Sequence, residues 1–128
     1  MSDTCPTVHF KMKRGDSLEF SFAAYVTVNG VTTAEPMTGA SIKMTAKNSL
    51  TDADPGVFQI TSSGGAIVVR ATPGETHIAD VVVPPSATTS LTASTVLEYD
   101  IEVTWSVTKR HTLQDGTLTV ELDVTATP

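Results

Sequence analysis

The chain has 128 residues, the length of one ordinary domain, with 40% hydrophobic residues, 5% aromatic residues and a formal net charge of −6. That charge argues against general nucleic-acid binding, which needs Lys and Arg to neutralise phosphates, and no apolar run approaches the ~20 residues that span a bilayer. A single cysteine, Cys5, rules out an intramolecular disulfide and a thiolate zinc cluster.

Residues 1–10 lack the basic and apolar regions of a secretion signal, so the expected site of folding is the cytoplasm. Val8, Phe10 and Met12 alternate with His9, Lys11 and Lys13, which predicts a strand with one wet face. Arg14-Gly15-Asp16 reads as a turn. Leu18, Phe20 and Phe22 then alternate with Glu19 and Ser21, and the pattern continues through Tyr25 or Val26 to Val28, with Tyr25 expected on the core side. Asn29-Gly30, between Val28 and Val31, fits a two-residue type I′ hairpin turn, which needs positive φ at both positions; the alternative is an ordinary loop running through Pro36 to Gly39.

Ala40, Ile42, Met44 and Ala46 form the next apolar row, opposite Ser41, Lys43, Thr45 and Lys47. Pro55-Gly56 closes a polar stretch as a turn. Residues 57–61 and 66–71 read as two short strands joined in a hairpin by Ser62-Ser63-Gly64-Gly65. A strand over 77–83 is stopped by Pro84-Pro85, since proline cannot donate to a ladder. Residues 86–95 read as a loop or one helical turn.

The last third alternates most strictly. Leu97, Tyr99, Ile101, Val103, Trp105 and Val107 face one way, and Glu98, Asp100, Glu102 and Thr104 the other. After 108–110 the chain returns with Leu118, Val120, Leu122 and Val124 against Thr117, Thr119, Glu121 and Asp123, and Asp115-Gly116 reads as a bulge or kink. One wet and one dry face on both arms predicts an antiparallel pair covering a core. About eight short strands without intervening helices predict an all-β fold, an antiparallel two-sheet sandwich of immunoglobulin-like type, in a single domain over 1–128; a closed barrel is the alternative.

No constellation of side chains spells a known chemistry. His9, His77 and His111 lie in separate segments, and Asp52-Ala53-Asp54 lacks the further oxygens of a calcium loop. Glu98, Asp100, Glu102, Glu121 and Asp123 could pair as glycosidase carboxylates, but their face offers no aromatic sugar platform. Arg14-Gly15-Asp16 spells an integrin-type tripeptide of a kind that arises by chance. Phosphate-cradling, nucleophile-elbow and zinc-helix motifs are absent, so no enzyme activity, cofactor or metal is expected. Charge is uneven: residues 1–64 hold five Lys/Arg and six Asp/Glu, residues 65–128 three and eight. The candidate interface residues are therefore a basic row, Lys11, Lys13, Arg14, Lys43 and Lys47, and an acidic row, Glu98, Asp100, Glu102, Glu121 and Asp123, which could orient subunits in an assembly.

Six ordered stretches carry a resemblance. They are Lys13-Arg14-Gly15-Asp16-Ser17-Leu18, then Thr38 to Met44 with Gly56-Val57-Phe58, and the ending Leu97 to Thr104, Thr112 to Val120 and Asp123-Val124-Thr125. Over most of its length the chain resembles small proteins and N-terminal domains encoded in the tail modules of tailed bacteriophages and prophages, with upper-baseplate N-terminal domains as distant relatives in style. The resemblance implies an immunoglobulin-like sandwich that builds the baseplate or attaches tail fibres. It implies a virion component in several symmetric copies, with other tail, baseplate or fibre proteins as partners and neither nucleic acid nor membrane insertion. A head decoration or head–tail joining protein is one alternative, and a host-surface carbohydrate- or receptor-binding module another. Residues 1–7 and 125–128 are expected to act as arms in assembly.

Overall fold

The computed structural model describes residues 6–49 and 51–122. Cys5, Asp123, Val124 and most of both expected arms lie outside them. The fold is all-β, with ten strands and one short 3-10 turn at Pro85–Ala87 among the described residues. A five-stranded sheet has the order β1-β10-β9-β5-β6, with β1 at Phe10–Lys13, β5 at Ser41–Lys47, β6 at Phe58–Thr61, β9 at Thr95–Ser106 and β10 at Lys109–Glu121. A three-stranded sheet runs β2-β8-β7, over Leu18–Ala23, Ile78–Val83 and Ile67–Val69. The remaining pair, β3 (Tyr25–Val28) and β4 (Val31–Ala34), stands by itself.

The period-2 rows become the core. Leu97, Ile101 and Val103 of β9, Leu118 and Val120 of β10, and Ile42 and Met44 of β5 are at most 2% exposed. They pack in one cluster with Phe22, Val81, Val83 and Ile67 of the three-stranded sheet. Each such side chain contributes roughly 1.5–3 kcal/mol on burial. At Asn29 (φ 51°) and Gly30 (φ 79°) both central residues of the turn have positive φ, as a type I′ turn requires, and Val28 pairs with Val31.

Several expectations are corrected. The large sheet is mixed, because β1 lies parallel to β10, with Phe10 opposite Leu118 and Met12 opposite Val120. The strands are not uniformly short: β9 has 12 residues and β10 has 13. Ser62-Ser63-Gly64-Gly65 does not close a hairpin, since β6 pairs with β5 while β7 pairs with β8. The turn instead carries the chain between sheets, so that Ile60 and Ile67 enter the same core. The register shifts between β10 and β9 fall between Lys109 and Arg110 and between Thr112 and Gln114, not at Asp115-Gly116.

The apolar rows also outrun the core at their ends. Val107 is fully exposed, Leu122 is exposed, and Trp105 is only partly buried, donating from Nε1 to the Pro36 carbonyl at 2.8 Å. Tyr25 is 52% exposed instead of core-facing, in the β3–β4 pair that joins neither larger sheet.

Candidate functional site

On the outer face of the five-stranded sheet, Lys11, Lys13 and Lys43 of the basic row pair with Glu121 and Glu102 of the acidic row; Asp123 lies outside the described residues. Strand order does this: β5 places Lys43 opposite Glu102, Thr45 opposite Asp100 and Lys47 opposite Glu98. Lys43 reaches Glu102 at 3.8 Å, and Arg110 approaches the same carboxylate at 3.8 Å. Lys47 turns to Asp54 at 2.8 Å. Parallel β1 brings Lys11 and Lys13 to Glu121 at 3.4 and 3.1 Å. Arg14 leaves the row, donating from Nη1 to the Leu91 carbonyl at 3.0 Å. Screened pairs of this kind contribute little to stability, but they leave few charges on this face to address a partner.

A depression of about 240 Å³ opens among Lys43, Lys47, Asp54, Glu98, Asp100 and Glu102. Desolvation there pushes the Asp100 carboxyl above the ordinary range; Glu102 and Asp54 add to this, while Lys47 and Lys43 oppose it. Hydrogen bonding to Lys47 holds Asp54 below the range, and to Lys13 holds Glu121 below it. The signs differ accordingly. Asp54 and Glu121 favour the fold above the unfolded carboxyl pKa and lose that contribution as pH falls through their folded values. Asp100 favours it only when protonated, so its ionisation weakens the fold as pH rises through its raised value. Asp100→Asn is therefore expected to raise the thermal midpoint at about pH 7 and to match the native chain at about pH 3. A lower midpoint at the higher pH contradicts this.

The residues tested for chemistry are held in separate structural roles. Asp52 accepts from the Ser49 backbone N–H at 3.1 Å, away from the Asp54–Lys47 pair. His9 Nδ1 lies 2.8 Å from the Thr117 hydroxyl, His77 stands edge-on to Tyr25, and His111 edge-on to Trp105. Among the described residues no group of three or more His, Cys, Asp or Glu converges as metal ligands would. Arg70, on the outer face of the three-stranded sheet, binds Asp80 and Glu75 at 2.9 Å each, and Ser21 donates to Asp80 at 2.6 Å. Arg70 first, then Ser21, hold Asp80 below the carboxylate range. This cluster ties β2, β7 and β8 together.

Two features stand outside the charged rows: a seat for the N-terminal strand, and the outward face of a hairpin whose turn the sequence predicts. The first is the seat of the N-terminal strand. Tyr99, 2% exposed, donates its hydroxyl to the Val8 carbonyl at 2.7 Å and accepts from Gln114 Nε2 at 3.1 Å. Gly116 (φ 150°) lies against the same carbonyl so closely that a Cβ there would meet its oxygen at 2.0 Å. The signals were Gln114 and Gly116, a polar residue and a glycine inside the long strand β10.

The second is the β3–β4 hairpin. Its ten residues, 25–34, carry no charge. Val28 and Val31 at its tip are 60% and 61% exposed, and all four residues of β4 are exposed. Its base, in contrast, is firmly held. Ala24 N–H donates to the His77 carbonyl and Glu35 N–H to the Ala24 carbonyl. Lys109 pairs with Glu35 and lies 4.8 Å from the Trp105 ring centre, as a cation over an aromatic face. Edge strands are ordinarily guarded by charge or proline, and this one has neither.

Among the described residues no helix is long and apolar enough to cross a membrane. Compared with known proteins, the chain matches no family model and no curated protein.

Proposed function

We propose that this chain is a non-enzymatic structural subunit of a tailed-bacteriophage particle, in the baseplate or tail tip or at the attachment of tail fibres. In this reading the five- and three-stranded sheets form an immunoglobulin-like β-sandwich around their common core. The subunit acts by multivalent contact with other virion proteins, resides in the tail, and passes through the host cytoplasm before assembly. The resemblance of the strand and turn motifs supports the virion setting. The single observation that carries the assembly role is the β3–β4 hairpin, uncharged, apolar at its tip and clamped at its base by Trp105, Lys109 and Glu35. Such an arm can add to the sheet edge of a neighbouring subunit through backbone hydrogen bonds while its valines fill shallow pockets.

Replacing both Val28 and Val31 by lysine leaves the core untouched. The variant is expected to keep its far-ultraviolet spectrum and thermal midpoint, yet to enter particles at least about tenfold less efficiently, the loss that goes with removing an interface anchor. Incorporation at the native level overturns the assembly role of the hairpin. One observation favours the carbohydrate-binding alternative: Tyr25 is exposed beside His77. A glycan-binding screen separates the two, with binding lost in Tyr25→Ala supporting the alternative.

A further inference from the structure

We propose that the segment 6–13 is exchanged between copies of this chain, so that β1 of one subunit completes the five-stranded sheet of the next. The inference rests on the subunit reading and names one contact through which such subunits join. An extended segment added to a sheet edge is a common mode of recognition between chains. β1 is added in that manner: it runs parallel to β10, so no hairpin turn ties it to its partner. Its onward connection, the turn 14–17, leads to β2 in the other sheet.

That turn is held to the end of the strand by Asp16 N–H on the Lys13 carbonyl at 3.1 Å. It is held to the body of the domain by Arg14 N–H on the Glu121 carbonyl at 2.7 Å and by two further contacts. Arg14 donates to the Leu91 carbonyl, and Gly15 N–H donates at 2.9 Å to the hydroxyl of fully buried Thr88. The pivot therefore falls at Lys13, and the strand can swing away while the turn stays seated.

The receiving edge suits this segment closely. Val8 N–H donates to the Asp115 carbonyl at 2.8 Å, and Asp115 N–H donates to the Pro6 carbonyl at 3.1 Å. The Val8 carbonyl fits the space left by Gly116 and receives the Tyr99 hydroxyl. The Phe10 ring centre lies 4.4 Å from that of Phe20 and 5.7 Å from that of Tyr99, and Met12 is buried. Glu121 receives both lysines. Each of these contacts joins the segment to the body of the domain, so an identical segment from another copy reproduces all of them. Closed and exchanged forms then differ mainly at the pivot and in the entropy of association, which high local concentration in a growing assembly offsets.

The test uses the register in which Lys11 lies opposite Thr119 on the outer face of the sheet. With Cys5→Ser as background, Lys11→Cys is placed in one tagged chain and Thr119→Cys in another. A disulfide between these two chains forms at this register only in trans. A chain carrying both substitutions is the control, and its intrachain disulfide shows that the geometry is competent. After incubation at high concentration and mild oxidation, the mixed chains are expected to give a covalent heterodimer well in excess of Lys11→Cys homodimers. Full intrachain closure in the control with no heterodimer in the mixture overturns exchange. The subunit reading is judged separately, by incorporation of the native chain into particles, so the two failures are distinguishable.

Discussion

Gly116→Ala is expected to unseat β1 and to lower stability by about 3 kcal/mol or more, at the upper end of what single substitutions do. The new Cβ would lie 2.0 Å from the Val8 oxygen and 2.8 Å from the Val8 carbonyl carbon. Both are backbone atoms, so no side-chain rotation relieves the clash. At φ 150° the alanine would also adopt a conformation that L side chains rarely take, a strain of about 1–3 kcal/mol. Moving Val8 away breaks the Tyr99 hydrogen bond and disturbs Phe10 and Met12 in turn. Hydrogen exchange gives the sharpest reading: the Val8 and Asp115 amides, which bridge β1 and β10, should lose protection while Ile101 and Val103 keep theirs. Gly39→Ala is the comparison, because Gly39 (φ 79°) has open space around its missing Cβ. Its cost should stay near about 1 kcal/mol. Native protection at Val8 and Asp115 in Gly116→Ala contradicts the account of the seat.

Tyr99→Ala is expected to cost about 3–5 kcal/mol, the range for truncating a buried aromatic side chain. Tyr99 packs against Phe10 and the central core, and its hydroxyl reaches from β9 to the Val8 carbonyl of the N-terminal segment. Tyr99→Phe isolates that polar role. It leaves the Val8 carbonyl without its phenol donor and Gln114 Nε2 without its acceptor, at a cost of about 1–3 kcal/mol. Gln114 is only 6% exposed, so water compensates poorly. Denaturant unfolding of the two variants separates packing from hydrogen bonding. A Tyr99→Phe chain as stable as the native one contradicts the polar role.

What the sequence made legible was local. The 95–106 and 109–121 arms alternate because one face is wet and one dry, and the positive φ demanded at Asn29-Gly30 is written in the residue types. Strand order is not written locally. Lys11 and Glu121 are far apart in the chain and belong to rows that read as separate, yet parallel pairing of β1 with β10 makes them partners. The same gap explains the turn at 62–65, where two adjacent short strands chose partners in different sheets because Ile60 and Ile67 reach one core from opposite sides. Alternation also cannot say where a core ends. Trp105 continues the row of Val103 only at the margin of the core, Val107 is exposed, and Tyr25 lies in a hairpin that joins neither larger sheet. Of the candidate interface residues, Lys11, Lys13, Lys43, Glu102 and Glu121 pair across strands. The outward-facing feature is instead a segment conspicuous for lacking charge, a signal that a search for charged rows passes over.

The central claim, that this chain works by building contacts rather than by chemistry, is tested most directly by a density map of the intact particle made in its host. The account predicts several symmetric copies of the chain in the tail, with the tip of the β3–β4 hairpin, at Val28 and Val31, buried against a neighbouring subunit. A particle without the chain, or one in which every copy leaves Val28 and Val31 open to solvent, would contradict it.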